Sequence, residues 1–337
     1  MKIIVDAFGG DHAPLVPIEG AVQAVKELGV EVILVGDETK IIKTAQNNSL
    51  DMKSITIHHA GDVLSMEDDA ADLLKKRTDT SMGVGLKLLA EGAGDAFVSA
   101  GSTGALLVGA TSFVKRIKGI RRAALATVLP GRDKSFLLLD CGANVECRPE
   151  MLVQFGYIGS VYMEKVMQRE TPSVCLANIG AEDTKGTETI QEAFKLLSDT
   201  KDINFEGNIE ARDIPFGKAD VVVADGFTGN IILKLTEGLA KFLTDNMKQM
   251  FYKSAKTKLA ALLLKDGLKE FSSGLDYTEY GGAPLLGIAK PVIKAHGSSN
   301  TKAMKNAIRQ AKIFAESGTV EIIAQSLKEQ KEVNEGD

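Results

Sequence analysis

A short apolar run that breaks into an Asp- or Gly-rich turn and continues as a helical pattern recurs along this chain. That grammar restricts its fold more than any other feature. It is clearest at Ala219–Glu237. Val221, Val222 and Val223 form an all-apolar run of the kind buried on both faces of a sheet. Asp225-Gly226 and Gly229-Asn230 break the run, and Ile231, Leu235, Leu239, Phe242 and Leu243 then follow helical spacing. The same order appears where Ile3–Val5 runs into Asp6–His12, Ala96–Val98 into Ser99–Gly104, and Phe136–Leu139 into Asp140–Asn144. Val174–Leu176 leads to Asn178-Ile179-Gly180, with Lys185-Gly186 just beyond. Strands alternating with helices build a parallel sheet, whose carboxyl-end turns gather on one edge. Backbone N–H groups at helix starts favour an anion. The expectation is one polar, glycine-lined site on that edge, holding a phosphate-like anion.

In chain order, strands are expected at 2–6, 31–35, 54–58 and 95–98, with helices at 17–28, 38–46, 80–91 and 103–113. Ala124–Leu129 and Ser135–Leu139 flank a Pro-Gly loop and suggest an antiparallel pair, which makes the sheet mixed. Pro149 opens a helix to about Gln168. Alternation resumes through 173–176, 185–198, 203–206 and 220–223. Segment 239–271 carries seven lysines against Asp245, Asp266 and Glu270. Its apolar positions give two amphipathic helices, read as a projecting hairpin that suits an ordinary core pair, a dimer contact, an acidic protein or an anionic membrane surface. The chain returns through Gly-rich Tyr280–Gly287 and through Lys294–Ser299, then a helix from about Thr301 to Glu316 and a last one over 319–331. The reading is a single α/β domain over 1–331 with a loose tail at 332–337.

A net charge of -5 and 5% aromatic residues without Trp argue against nucleic acid as a partner. Cys141, Cys147 and Cys175 lack Cys-x-x-Cys spacing, so neither a disulfide framework nor a zinc site is expected, and a reducing cytoplasm fits. The start of the chain lacks the apolar core of a signal peptide, and no uncharged apolar run approaches the ~20 residues that span a bilayer.

Lys185 falls at an expected helix start, where a lysine opposes the helix dipole unless an anion compensates. A solvated surface lysine is the equal alternative. His12, between Asp11 and Ala13, suits proton transfer or phosphate contact, against a plain backbone-bonding role; His296, beside Gly297 and Ser298, is read alike. Asp6, Asp140 and Asp225 each follow an apolar strand and are read as capping helix starts or orienting lysines rather than as metal ligands. Cys141 is read as a buried cysteine rather than a nucleophile. Lys115, Arg116, Lys118, Arg121 and Arg122 form a basic cluster, either solvated or docking an acidic partner.

These motifs carry a resemblance. Asp6–Pro14, Ser99–Ala105, Asp140–Asn144, Lys185-Gly186, Asp225–Asn230, Tyr280–Gly287 and Lys294–Ser299, in this order, closely resemble the phosphate acyltransferases of bacterial phospholipid synthesis. Phe8 stands where that family usually has Met, one apolar residue for another. The resemblance spans nearly the whole chain. It implies a Rossmann-like three-layer αβα fold with a mostly parallel mixed sheet, related to isocitrate dehydrogenases and phosphotransacetylases, in a homodimer. It implies that fatty acyl-[acyl-carrier-protein] and inorganic phosphate give acyl phosphate and free carrier protein, with no metal or other cofactor. The product would feed a membrane glycerol-3-phosphate acyltransferase, with peripheral attachment through the projecting helices. On this reading Lys185, His12 and Asn230 are catalytic. Gly9, Gly10, Asp11, Ser102, Thr103, Asn144, Asp225, Thr228 and His296 bind phosphate or thioester. Arg116, Lys118, Arg121, Lys253, Lys256 and Lys258 meet the carrier protein or membrane. Two rival readings are a nicotinamide-dependent decarboxylating dehydrogenase of the same fold and a non-enzymatic membrane-surface scaffold.

Overall fold

Runs of Ile, Val and Leu with alternating inward positions dictate the central layer. The computed structural model describes residues 1–65, 67–274 and 281–336; Tyr280 of the Gly-rich return and Asp337 of the tail lie outside them. Among the described residues one eleven-stranded sheet forms. Its strands are β1 (Lys2–Asp6), β2 (Glu31–Gly36), β3 (Ile55–His59), β4 (Ala96–Ser99), β5 (Ala124–Leu129), β6 (Phe136–Leu139), β7 (Ser173–Asn178), β8 (Asn204–Glu210), β9 (Val221–Val223), β10 (Ala283–Leu286) and β11 (Val292–Lys294). Their order across the sheet is β3-β2-β1-β4-β11-β10-β5-β6-β9-β7-β8.

Side chains alternate between two apolar layers. Ile3, Val5, Val221 and Val223 face helices Leu15–Leu28, Pro149–Lys165 and Thr301–Glu316. Ile4, Phe97, Leu125 and Val222 face helices Ser81–Glu91, Thr103–Gly109 and Gly226–Tyr252. The helix starts are defined by side-chain caps: Thr80, Ser102, Thr187, Asp225 and Asn300 each accept a backbone N–H two or three residues into the helix.

The expected mixed, mostly parallel sheet is present, but its turns do not share one edge. β3, β2, β1, β4 and β11 are mutually parallel, as are β6, β9, β7 and β8. Between the two blocks lie three antiparallel steps: β11 to β10, β10 to β5, and β5 to β6. An odd number of reversals inverts the direction. The carboxyl ends of β6, β9 and β7 therefore lie on the edge opposite those of β1, β4 and β11.

Other departures are local. The helix expected over 103–113 ends at Gly109 and gives way to a wider π-type turn over Ala110–Val114. Segment 239–271 is the outer part of one 27-residue helix, Gly226–Tyr252, followed by Ala255–Leu263 and Lys265–Gly274. In the long helix Gly226, Gly229 and Leu233 are the buried residues. The closing helix runs over Thr319–Gly336, so 332–336 continues it instead of forming a loose tail. Lys, Glu and Gln are good helix formers, and neither proline nor glycine interrupts this stretch before Gly336.

Gly229 fixes how the long helix seats on the sheet. A Cβ there would fall 1.8 Å from the Asp140 carbonyl oxygen, a backbone atom that cannot swing away. Gly229→Ala is expected to lower stability by about 2–3 kcal/mol, read as an earlier urea midpoint.

Candidate active site

Over β5 and β10, between helices Thr103–Gly109 and Gly226–Tyr252, a cavity of about 220 Å³ opens. Its polar wall includes Thr103, Asn230, Lys234, Lys294 and His296; Leu125, Val128 and Leu233 form an apolar wall. Four segments that follow strands reach it: the helix start after β4 (Thr103), the turn after β6 (Cys141, Gly142), the first turn of the long helix after β9 (Asn230) and the turn after β11 (Ala295, His296). Although the blocks run oppositely, their turns meet over the short central strands. A cleft where sheet topology reverses is a favoured place for a ligand.

The turn after β1 backs this wall. Gly10 has φ 95°, which an L side chain rarely adopts, and Asp11 N donates to Gly297 O at 2.8 Å. A Cβ on Gly9 would lie 2.6 Å from Gly101 N. Gly9, Gly10 and Asp11 thus lie outside the cavity lining and hold neighbouring turns at close range. Asp6 accepts from Ser99 Oγ at 2.6 Å and from Phe8 N at 3.1 Å. Burial raises its pKa, opposed by bonds from Ser81 and Ser99.

Asp140 organises the other side. Its buried carboxylate accepts from Leu125 N, Gly142 N, Ala143 N, Asn144 N and Asn144 Nδ2 at 2.7–3.1 Å. Burial pushes its pKa up while these bonds pull it down. Asn144 also donates to Ala123 O at 2.8 Å, so its amide is engaged with the turn. Asp225 accepts from Thr228 N and Thr228 Oγ1, both at 2.8 Å, and caps the long helix. Asp225 and Thr228 border a separate hollow of about 430 Å³ with Cys147, Thr187 and Phe227. Ser102 caps its own helix by accepting from Ala105 N at 3.5 Å. Of the three aspartates, Asp225 caps a helix start, whereas Asp6 and Asp140 neither cap a helix nor pair with a lysine among the described residues and instead bind the backbone and side chains of neighbouring turns.

Asn230 remains in the cavity wall, with Nδ2 donating to Cys141 O at 3.0 Å. Gly142 permits this approach: it has φ 129°, and a Cβ there would lie 2.9 Å from Asn230 Nδ2. His296 Nδ1 accepts from Ser298 N at 3.2 Å and pairs with Ser298 Oγ at 2.9 Å. The neutral ring then carries its proton on Nε2. Burial, followed by nearby Lys234, pushes its pKa below the usual histidine value. Cys141 donates to Leu138 O at 3.2 Å, and burial pushes its thiol up to about 12. It is a wall residue held as the thiol.

Lys185 is exposed, and the structure does not bring it to this cavity. It precedes helix Glu188–Asp199 instead of starting it, and its carbonyl accepts from Asn178 Nδ2 at 3.1 Å. His12 is exposed and outside the lining as well. Arg116 donates to Arg121 O, and Arg121 sits 4.0 Å from Glu150. Lys253, Lys256 and Lys258 are exposed beyond the long helix.

Lys294 opens the Lys294–Ser299 motif but is given no site role from sequence. It ends β11, is buried, and Nζ donates to Ala100 O at 3.4 Å and to Ala295 O. Burial, then Lys234, lowers its pKa to about 8. The available signal was a lysine directly following Val292-Ile293 and preceding Ala295, where a buried strand position is due.

The chain matches the family described as fatty acid synthesis protein over residues 1–322. It is 49% identical over 327 residues to a phosphate acyltransferase of Alkaliphilus oremlandii, covering 97% of each chain. It is 43% identical to one from Clostridioides difficile, covering 99% of this chain and 98% of the relative. In fold it is similar to a phosphotransacetylase from Streptococcus pyogenes (TM-score 0.63, 17% identity, 94% of each chain) and to EutD phosphotransacetylase from Staphylococcus aureus (TM-score 0.62, 18% identity, 94% of each chain). A 4-hydroxythreonine-4-phosphate dehydrogenase from Klebsiella pneumoniae shares the fold at TM-score 0.55 and 14% identity, covering 94% of this chain and 99% of that one. With near full-length matches at these identities, the chain belongs to the fatty acid synthesis protein family, among its phosphate acyltransferases.

Proposed function

We propose that this enzyme transfers a fatty acyl group from an acyl-carrier-protein thioester to inorganic phosphate, releasing acyl phosphate and free carrier protein in phospholipid synthesis. The observation that carries the reading is the central cavity, which sets hydrogen-bond donors and cationic groups, with the Glu237 carboxylate paired to Lys234, against an apolar wall. A phosphate suits the first surface and the start of an acyl chain the second.

A phosphate oxygen attacks the thioester carbon, a C–O bond forms, and the C–S bond breaks with its electron pair leaving on sulfur. The oxyanion that develops needs preorganised donors, a role open to Asn230 Nδ2 and the Thr103 hydroxyl. A thiol with a pKa near ~8.5 leaves as a thiolate without a strong acid and takes its proton from solvent. Neutral His296 offers Nε2–H to the phosphate. Lys185 and His12, outside the lining, belong to this site only if the turns that carry them move inward when substrate binds. The other binding roles proposed from sequence for Gly9, Gly10, Asp11, Ser102, Asn144, Asp225 and Thr228 act through the turns these residues shape.

The same reading assigns the outer apolar surface to partners. Ile231, Leu235, Leu239 and Phe242 are exposed on the face of the long helix turned away from Lys234 and Glu237. Such a stripe suits a second copy of this chain. Leu259, Leu262 and Leu263 are exposed among Lys253, Lys256 and Lys258, a combination suited to an anionic membrane surface at the cytoplasmic face. No helix among the described residues is long and apolar enough to cross a membrane. The Arg116, Lys118 and Arg121 cluster suits an acidic carrier protein.

Mixing the protein with acyl-carrier-protein thioester is expected to release thiol only when inorganic phosphate is added. Release that ignores phosphate would overturn the assignment. Leu235→Glu with Leu239→Glu is expected to shift the sedimenting species to monomer. Leu262→Glu with Leu263→Glu is expected to abolish flotation with anionic vesicles while leaving sedimentation unchanged. Glu at Arg116 and Lys118 is expected to raise KM for the carrier protein several-fold and leave vesicle binding intact.

A further inference from the structure

We propose that the Lys294 ammonium holds the attacking phosphate in the central cavity. The inference rests on the acyl-transfer reading and adds the residue that grips its inorganic substrate. Lys294 is 8% exposed, yet it borders the cavity. Its backbone is fixed from both sides, opposite Ser99 of β4 and Ala283 of β10. A lysine ammonium has three N–H donors. Two directions go to the carbonyls of Ala100 and Ala295, which aims the head group and leaves one donor. No carboxylate among the described residues forms an ion pair with it. A charge in this position without an anionic partner is unfavourable, and a bound anion supplies that partner.

The charged groups facing Lys294 come from three elements. Asp6 and Asp11 belong to β1 and its turn, Lys234 to the long helix, and His296 to its own turn, with Glu237 acting on His296. Lys234 repels the Lys294 charge, and the aspartates oppose that repulsion. Lys234 itself is paired with Glu237 at 2.8 Å, so the helix presents a partly neutralised cation. Burial leaves the amine with a pKa of about 8, so phosphate binding near that pH draws a proton onto Lys294.

The test uses the full-length protein, inorganic phosphate as titrant, and phosphate-dependent thiol release as the rate. Lys294→Met is expected to raise KM for phosphate by at least about tenfold, the size of one lost charge-assisted hydrogen bond, with a smaller change in KM for the carrier thioester. In the unmodified protein, phosphate affinity is expected to fall as pH rises above about 8, where phosphate is already the dianion and Lys294 loses its proton. Lys294→Arg is expected to retain binding and to lose that pH dependence, which a merely structural lysine would not produce. Lys294→Met with an unchanged KM for phosphate overturns the proposal. So does Lys294→Arg with the original pH profile, a measurement that stands even where the Met variant fails to fold. If the unmodified protein neither binds phosphate nor releases thiol on its addition, the acyl-transfer reading itself falls, an outcome distinct from a failure of Lys294 alone.

Discussion

The buried carboxylate of Asp140 is the interaction on which the rest of the architecture depends. It gathers five N–H bonds from β5 and from the turn after β6. Those bonds offset the desolvation of a charge that would otherwise be unfavourable there. The carbonyl of the same residue is the surface on which Gly229 lets the long helix rest. One residue thus sets the height of the helix, the position of Asn230 above Cys141, and one wall of the cavity. Asp6 acts similarly on the other side, through Ser99 and the turn after β1. The two wall-forming halves are each organised by a buried aspartate, and the ligand space lies between them.

Much of this architecture was legible in the residues. Apolar runs such as Ile3–Val5 and Val221–Val223 are buried on both faces and admit no reading but a central strand. Asp225 and Thr187 mark their helix starts by chemistry any sequence displays. What could not be read was direction. A parallel block reads the same whichever way its neighbour runs, and the inversion depends on β10 and β11. These strands span four and three residues, and β10 stands between Gly281-Gly282 and Gly287. Strands so short carry too few alternating positions to register as periodicity.

The site was legible in part for a related reason. Glycines and small polar residues announce where a strand gives way to a turn or a helix start, so the segments that carry Thr103, Asn230 and His296 were marked, and these three residues line the cavity. Several polar residues in the same turns, including Asn144, Ser102 and Thr228, are turned inward to shape backbone. A motif marks a turn and does not separate the side chains that build it from those it presents. Lys294 illustrates the converse: it sits in a strand, where a charged residue reads as an edge or an ending, and its burial follows only from packing between β4 and β10.

The order of strands also bears on how the chain assembles as it is made. β4 ends at Ser99 and β5 begins at Ala124, but the two strands that join them start only at Ala283. Each block can pair internally from earlier residues, leaving one open edge on each until the last sixth of the chain emerges. The hairpin of β10 and β11 then closes both edges at once, like a keystone set last. Such late, long-range pairing is slow and leaves unpaired strand edges exposed to other chains meanwhile. The lysine that ends this hairpin and the cavity it borders exist only after that closure, so an unfinished chain holds no working centre.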